Sequence, residues 1–476
     1  MNSKKSKTLM IVMLLLTILF EVSAVALLFL VGILPNIINI LVIVLMIGIT
    51  VLLFFLLRDK KGVSGKRKAG VVISIVYILL LAIGIVYLVN TYAAFLNMSD
   101  EDKQMEDYYV VVLEESDYDK VKDIKGQDVL VHNSSSEIYK EAQSILKDEA
   151  EVKYTAVDGT MALKNALIDD KGVKADKIIF LSSYNYEGLC EYNAGFEDDT
   201  KIIYTVSVPI GNDDIAKRVG ITKEPFNVYI SGIDTFGGIE KVSRSDVNMI
   251  MTVNPVTKEI LLTSIPRDTY IPLHSYGALD KLTHSGIYGI DETITTVEDW
   301  LGIDINYYIR VNFTSLKDIV DVIGGIEVES PYAFESSVSD YSYNAGTNHL
   351  DGKAALYFAR ERKSFEEGDQ ERIENQQRVL EGIIEKISSP VILTKYTEIM
   401  GVVGNEVQTN MSEKEISALV KMQLEDLGDW SIETISINGK GTNAPTYSMG
   451  SRQLFVVVPN DASVKAAQEA IKEVHN

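Results

Sequence analysis

Three long apolar runs fill most of the first 90 residues, and they constrain everything that follows. Residues 9–33 (LMIVMLLLTILFEVSAVALLFLVGI), 37–57 (IINILVIVLMIGITVLLFFLL) and 69–89 (AGVVISIVYILLLAIGIVYLV) are almost wholly hydrocarbon. About 20 apolar residues in helical form span a bilayer core, so each run is long enough to cross. Three such stretches in succession do not suit the core helices of a water-soluble domain. Two further spans follow the first and no small-residue cleavage site precedes them, so the first is not read as a removable leader.

Flanking charge predicts an orientation. Lys4, Lys5 and Lys7 precede the first run, and Arg58, Lys60, Lys61, Lys66, Arg67 and Lys68 lie between the second and third. The connection at Pro35–Asn36 is uncharged. The positive-inside rule places the N-terminus and the 58–68 loop in the cytoplasm. A multi-pass cell-membrane protein is expected, with everything after about residue 92 extracellular. Glu21, inside the first span, faces a neighbouring helix, marks a partner contact, or is a protonated or snorkelling group. Residues 1–68 carry nine Lys/Arg and two Asp/Glu, a charge of +7; the other 408 residues carry 36 and 65, a charge of −29. So acidic a surface repels nucleic acid. The lone Cys190 permits no intramolecular disulfide, and the five scattered histidines lack the spacing of a zinc site.

The expected organisation is three transmembrane helices (1–92), a small α/β accessory domain (108–208), a linker (209–225) and a catalytic domain (226–476). In the accessory domain, 108–114, 152–157 and 177–183 read as strands, as does part of DIKGQDVLVHN. The stretch 136–149 reads as a helix with Ile138, Ala142, Ile145 and Leu146 on one face. Beyond residue 391 the same domain continues. Helix 412–427 opens on Ser412 and Glu415 at capping-box spacing. Residues 430–437 and 453–458 read as strands, 461–474 as a helix, and the Gly/Ser/Thr/Asn-rich stretch 439–451 as a surface loop without a nucleotide P-loop pattern.

Charged residues gather at predicted strand ends from Pro225 onward. Strand 227–233 ends at Asp234; Arg244 and Asp246 precede a hairpin of strands 247–253 and 259–265, and Pro266-Arg267-Asp268 follows it. In AALYFARERKSFEEGDQERIENQQRVLEGIIEKI we expect a strand and then a helix, with Arg360 and Arg362 sharing one strand face. Asp369, Arg372 and Gln376 would lie along one side of the helix start. An otherwise acidic chain thus concentrates Arg244, Arg267, Lys281, Arg360, Arg362 and Arg372. Arginine suits bidentate contact with phosphate oxygens. Asp234 and Asp246 beside them would repel phosphate unless a divalent cation, Mg²⁺ or Mn²⁺, lay between, held by one or two carboxylates and completed by the substrate. The plainer alternative is a set of ion pairs stapling strand ends. Surface pairs contribute only about 0–1 kcal/mol each, a weak motive for gathering six cations.

GID at 232–234, RSD at 244–246, SIPRDTY at 264–270, KLTHSGIYG at 281–289, VDVIGGIEVE at 320–329, LDGKAALYFARER at 350–362 and GDQERIENQQRVL at 368–380 resemble the LytR–CpsA–Psr family. The three spans and accessory domain look most like its capsule-associated CpsA branch. The resemblance implies an α/β catalytic domain of three layers, a central mixed sheet flanked by helices, with an apolar groove for a polyprenyl chain. It implies transfer of a capsule-type polysaccharide, as glycopolymer phosphate, from an undecaprenyl-pyrophosphate carrier to a peptidoglycan hydroxyl, alongside other capsule-assembly proteins. By that resemblance Asp234 and Asp246 hold the metal. Arg244, Arg267, Arg360, Arg362 and Arg372 clamp the pyrophosphate with Lys281, Gln376 is a polar contact, and Arg267, Arg244 and Asp268 are catalytic. Asp268 is either a partner for an arginine or the general base. Many relatives have Arg-Gln where this chain has Asn375-Gln376, so position 375 supplies no charge. The apolar side chains of 307–328 and 379–387 form core, and some would line the groove. A non-catalytic membrane regulator or scaffold that binds polyprenyl phosphate lipids is the competing reading; a DNA-binding regulator would have only an eleven-residue basic loop to work with.

Overall fold

The computed structural model describes residues 3–58, 64–98, 105–133, 136–193, 195–210, 214–233, 239, 243–365, 368–389 and 391–476. The three apolar runs form helices α1 (Ser3–Val31), α2 (Asn36–Leu57) and α3 (Ser64–Met98), each long and apolar enough to cross a membrane. Side chains such as Leu45 and Phe55 point outward, 63% and 64% exposed, a surface that only lipid would solvate. Glu21 faces its neighbours: Thr50 Oγ1 and Tyr77 Oη each donate to its Oε1, at 2.8 and 2.9 Å, so all three helices meet at one carboxylate. Helix α3 outruns the predicted 69–89, because its last turns are buried by protein. Ala94, Phe95 and Met98 join the core of the large C-terminal unit.

The middle unit comprises β1 (Met105–Leu113), β2 (Asp128–His132), α4 (Glu137–Ala150), β3 (Lys153–Val157), α5 (Thr160–Leu167), β4 (Ile178–Ser182), α6 (Ser183–Tyr192), α7 (Phe196–Asp199) and β5 (Thr200–Pro209). Its strands form one sheet in the order β3-β2-β4-β1-β5. Strand β1 explains why the sheet is covered on both faces. Tyr108, Val110 and Val112 enter one core with α4, while Val111 and Leu113 enter another with Leu163 and Leu189 of α5 and α6, the period of two that a doubly buried strand requires. The predicted α4 face is corrected: Ala142 and Leu146 are buried, but Tyr139 lies inward and Ile145 is 38% exposed. The Tyr139 hydroxyl reaches the Phe180 carbonyl of β4 at 2.6 Å, which rotates the stripe toward the sheet.

The C-terminal unit begins with β6 (Phe226–Ile233), β7 (Ser245–Asn254), β8 (Glu259–Ser264), β9 (Tyr270–Pro272) and β10 (Leu279–Lys281). There follow α8 (Leu282–Ser285), α9 (Ile290–Leu301), β11 (Tyr307–Asn312), α10 (Phe313–Val322), β12 (Ile326–Ser330), β13 (Phe334–Glu335), β14 (Ser342–Tyr343) and β15 (Gly346–Leu350). Then come α11 (Gly352–Arg360), α12 (Gly368–Ser388), α13 (Val391–Glu406), β16 (Gln408–Thr409), α14 (Glu413–Glu425), β17 (Ser431–Ser436), β18 (Gly439–Thr446), β19 (Gly450–Pro459) and α15 (Asp461–Val474). The central sheet is mixed, in the order β16-β11-β6-β7-β8-β17. Val228, Leu262 and Tyr307 face one core with α10 to α14; Tyr229, Leu261 and Tyr308 face the other with α9 and α15. Helices thus flank both faces, as the three-layer expectation has it. The Ser412–Glu415 capping box is formed at the start of α14.

Two sequence expectations are corrected. Residues 352–360 are helix α11 rather than a strand. Asp351 accepts the Ala354 N–H as an N-cap, and Ala354, Ala355, Leu356, Phe358 and Ala359 pack inward; a short apolar run does not reveal its period, and the cap was the deciding signal. The stretch expected to be a loop at 439–451 is mostly strand, paired with β19 along its length. It is an exposed polar ribbon, so no hydrophobic alternation marks it.

Candidate active site

Strands β6 and β11 are parallel, β8 and β17 are parallel, and β7 runs antiparallel between β6 and β8. The C-terminal ends of four strands and the N-terminal end of β7 therefore share one edge, the usual place for ligands in α/β sheets. Asp246 sits at the start of β7 and Arg267 just beyond β8. Arg267 Nη1 donates to Asp246 Oδ2 at 2.7 Å, and Thr283 Oγ1 donates to Asp246 Oδ1 at 2.9 Å. The Thr283 backbone N–H donates to the Arg267 carbonyl at 2.8 Å, locking the Pro266-Arg267-Asp268 turn against α8. Arg244 is half-buried just before β7. The backbone around it lies so close to Gly286 that a Cβ there would meet Ser243 O at 2.7 Å and Ser245 N at 2.9 Å. A glycine in KLTHSGIYG is thus the condition for Arg244 to sit where it does.

Helix α12 brings the second half of the cluster. Arg372 Nη2 stands 2.8 Å from Asp369 Oδ1, an ion pair not aligned for a hydrogen bond, and Arg362 Nε stands 3.8 Å from the same oxygen. Gly368 packs on Arg362, where a Cβ would lie 2.7 Å from its carbonyl. Burial is the largest influence on Arg267 and opposes its charge, yet Asp246, Asp268 and Asp369 together hold its pKa above the ordinary value. Arg372 goes the other way: burial, with the repulsion of Arg267 and Arg362, outweighs Asp369 and Asp246 and lowers it. Arg267, Arg362 and Arg372 therefore share one electrostatic environment with Asp246 and Asp369. The Nε atoms of Arg267 and Arg372 are buried and have no hydrogen-bond partner among the described residues. Buried donors left open cost free energy unless an acceptor arrives. Such a cluster can receive an anion.

The remaining predicted residues are placed as follows. Lys281 Nζ donates to Asp268 Oδ1 at 2.9 Å, both groups being buried, and Asp268 Oδ2 lies 3.9 Å from Arg267 Nε. Arg360 is exposed at the end of α11, its guanidinium 4.2 Å above the Phe313 ring at the start of α10, a cation–π contact. Gln376 is half-buried on α12, while its neighbour Gln377 is buried and donates to the Ile435 carbonyl at 3.0 Å. Asn375 is buried and accepts from Arg378 at 2.7 Å. Asp234 lies outside the described residues.

Sequence reasoning missed two contributors and undervalued a third. Thr283 buttresses Asp246, and Asp369 sits among the guanidiniums instead of merely opening a helix. Glu361, between two arginines, turns inward with no exposed surface and accepts backbone N–H groups from Ser337 (2.6 Å), Arg362 (2.9 Å), Lys363 (2.9 Å) and Ser364 (3.2 Å). Burial alone would raise its pKa and is the largest influence; the donors from Ser337, Arg362 and Ser364 prevail and hold it at about 2. The alternation R-E-R, with the flanking charges outward, was the available signal.

Among the described residues no group of three or more His, Cys, Asp or Glu could enclose a metal. A cation completed by substrate oxygens needs fewer protein ligands. Among the described residues each Asp246 oxygen has one donor and a lone pair to spare, so the donor set fits such an ion. The Asp280, His284 and Ser448 group has the composition of a nucleophilic triad without its arrangement. Asp280 Oδ1 and Ser448 Oγ both meet His284 Nδ1, at 2.7 and 2.9 Å, whereas a relay uses the two ring nitrogens separately.

The LytR_cpsA_psr family model matches residues 190–468. The chain belongs to this family. Polyisoprenyl-teichoic acid–peptidoglycan teichoic acid transferase TagU of Bacillus subtilis is 40% identical over 198 residues, 41% of this chain and 63% of that protein. TagU of Bacillus anthracis is 34% identical over 261 residues, 54% of this chain and 84% of that one. The match therefore spans less than two thirds of the B. subtilis transferase. The crystal structure of B. subtilis TagV superposes with a TM-score of 0.45 at 30% identity, covering 53% of this chain and 97% of that chain. The three apolar helices and most of the middle unit precede the family match.

Proposed function

We propose that this protein is a membrane-anchored transferase that moves a glycopolymer phosphate from a polyprenyl pyrophosphate carrier to a peptidoglycan hydroxyl. One observation carries the reading: the half-buried Arg267 and Arg372, facing the same carboxylates, each with a buried Nε that has no hydrogen-bond partner among the described residues. In the reaction a sugar hydroxyl of the acceptor attacks the glycan-bearing phosphorus. The bond from that phosphorus to the bridging oxygen breaks, and polyprenyl phosphate leaves with the electron pair. Arg267, Arg362 and Arg372 offset charge on the phosphoryl and leaving oxygens, and Arg244 approaches from the start of β7. Asp246, with Asp234, would hold Mg²⁺ or Mn²⁺, which when bound neutralises phosphate oxygens. Asp268 is held by Lys281 and turned toward Arg267, which favours an anchoring role over that of general base.

Membership of the family and the transferase relatives support the general reaction. The three spans and the middle unit fit the organisation of capsule-associated members, and we take the polymer to be a capsule-type polysaccharide on an undecaprenyl carrier. By the flanking charges the catalytic unit stands outside the cell. The test uses the purified full chain with lipid-linked glycan, peptidoglycan and Mg²⁺. Arg267→Ala should cut transfer by roughly 100- to 1000-fold, the cost of removing one charge-stabilising donor. Transfer at the wild-type rate would refute the reading, and lipid binding without transfer by the wild type would leave a scaffold instead. Sugar analysis of the polymer on purified wall identifies the glycan.

A further inference from the structure

An aromatic cluster with two exposed rings lies at the turn of the hairpin that carries Lys281, and it takes no part in the chemistry above. Tyr276, at the turn between β9 and β10, stacks on Tyr447, at the turn between β18 and β19, with ring centroids 4.6 Å apart and planes at 29°. Tyr288 tilts against both, at 4.9 and 6.4 Å. Tyr276 remains 43% exposed and Tyr447 47%. The middle unit borders the cluster: Glu106 of β1 acts electrostatically on Tyr276, and Tyr184 of α6 acts on Tyr288. A cluster serving only to glue two units together would be covered. This one leaves Tyr276 and Tyr447 exposed at a seam, where ligand sites tend to form.

Its position narrows the occupant. Tyr276 is five residues from Lys281 on one hairpin, so their Cα atoms lie within about 18 Å of each other, the reach of five extended residues. Lys281 is ion-paired to Asp268, next to Arg267. A glycan attached to a pyrophosphate at the arginine cluster would start near the Lys281 end of the hairpin whose turn carries Tyr276. The carboxylate of Glu292, which accepts from the Ser275 N–H and hydroxyl beside Tyr276, disfavours an anionic ligand. The C–H face of a pyranose meets the electron-rich face of a tyrosine ring favourably, and tyrosine hydroxyls can bond to sugar hydroxyls. We propose that Tyr276 and Tyr447 form a stacking platform for neutral sugars of the glycan on the lipid-linked donor. The inference rests on the pyrophosphate reading above and assigns that site its glycan subsite.

The test measures binding to the full chain in detergent with three probes: geranylgeranyl pyrophosphate, the same lipid carrying an N-acetylglucosamine disaccharide, and the disaccharide 1-phosphate without lipid. The wild type should bind the sugar-bearing lipid roughly tenfold more tightly than the bare one. The pair Tyr276→Ala and Tyr447→Ala should bind both alike, at the wild-type affinity for the bare lipid. Replacing both by Phe should retain most of the difference. Should the alanine pair lower Tm, Tyr276→Ala alone, at an exposed turn, carries the comparison. Absence of a sugar-dependent gain in the wild type, or its survival without the rings, overturns the platform. So does a ring-dependent affinity for a soluble peptidoglycan fragment in place of the donor sugar. Failure of the wild type to bind the bare lipid would overturn the pyrophosphate reading instead; the disaccharide phosphate then still reports on the tyrosines.

Discussion

Replacing Glu361 by Gln keeps the shape of the side chain and removes its charge. The wild-type carboxylate is wholly buried, and backbone N–H groups of Ser337, Arg362, Lys363 and Ser364 point at it. Its pKa falls from 4.5 to about 2 on folding. Linkage converts that difference into an upper limit of about 3 kcal/mol of stability at neutral pH. The loop beside it is open to solvent at Arg362, so we take about 2 kcal/mol as the realistic figure. An amide also presents N–H to N–H on one side, which adds to the cost. Because the folded pKa is depressed, the contribution is complete above the unfolded value near 4.5 and is lost as pH falls toward 2. Thermal unfolding of the full chain in detergent should show Glu361→Gln lower in Tm by roughly 4–8 °C at pH 7. The gap should narrow steadily between pH 4.5 and pH 2. A gap of constant size from pH 7 down to pH 3 would refute the reasoning, since the loss would then come from shape and not from charge. Affinity for a polyprenyl pyrophosphate should fall too, because the same turn sets the directions of Arg360 and Arg362.

Two further outcomes follow from packing. Gly286→Val should leave the protein membrane-bound but abolish transfer, because its Cβ would drive into the Ser243–Ser245 backbone and displace Arg244; unchanged turnover would show that Arg244 has no placement requirement. Glu21→Leu removes the acceptor shared by Thr50 and Tyr77, and should weaken the three-helix bundle by about 1 kcal/mol, near 0.6 for each hydrogen bond lost. Glu21→Gln should keep both donors satisfied. Equal resistance of the two variants to denaturing detergent would count against the network.

Much of the molecule was legible from the chain alone. Apolar run length determined the three membrane-spanning helices, and short apolar runs bounded by turn residues marked β1, β6, β7 and β8, because a strand buried on both faces is apolar at nearly every position. The Ser412–Glu415 box determined the start of α14, since a cap is a purely local arrangement. Motif and charge singled out the arginines of the candidate site, but Arg360 and Arg362, expected on one strand face, lie at the end of α11 and just beyond it. Tertiary structure decided the rest. Residues 352–360 became helix because Asp351 caps them and their apolar face packs inward, and 439–446 became strand because β19 supplies hydrogen bonds that no pattern announces. Only the fold brought Arg267, Arg362 and Arg372 to one edge with Asp246 and Asp369, and turned Glu361 inward. Local sequence sets what a segment prefers, whereas burial and long-range pairing set which charges must share a place that water cannot screen.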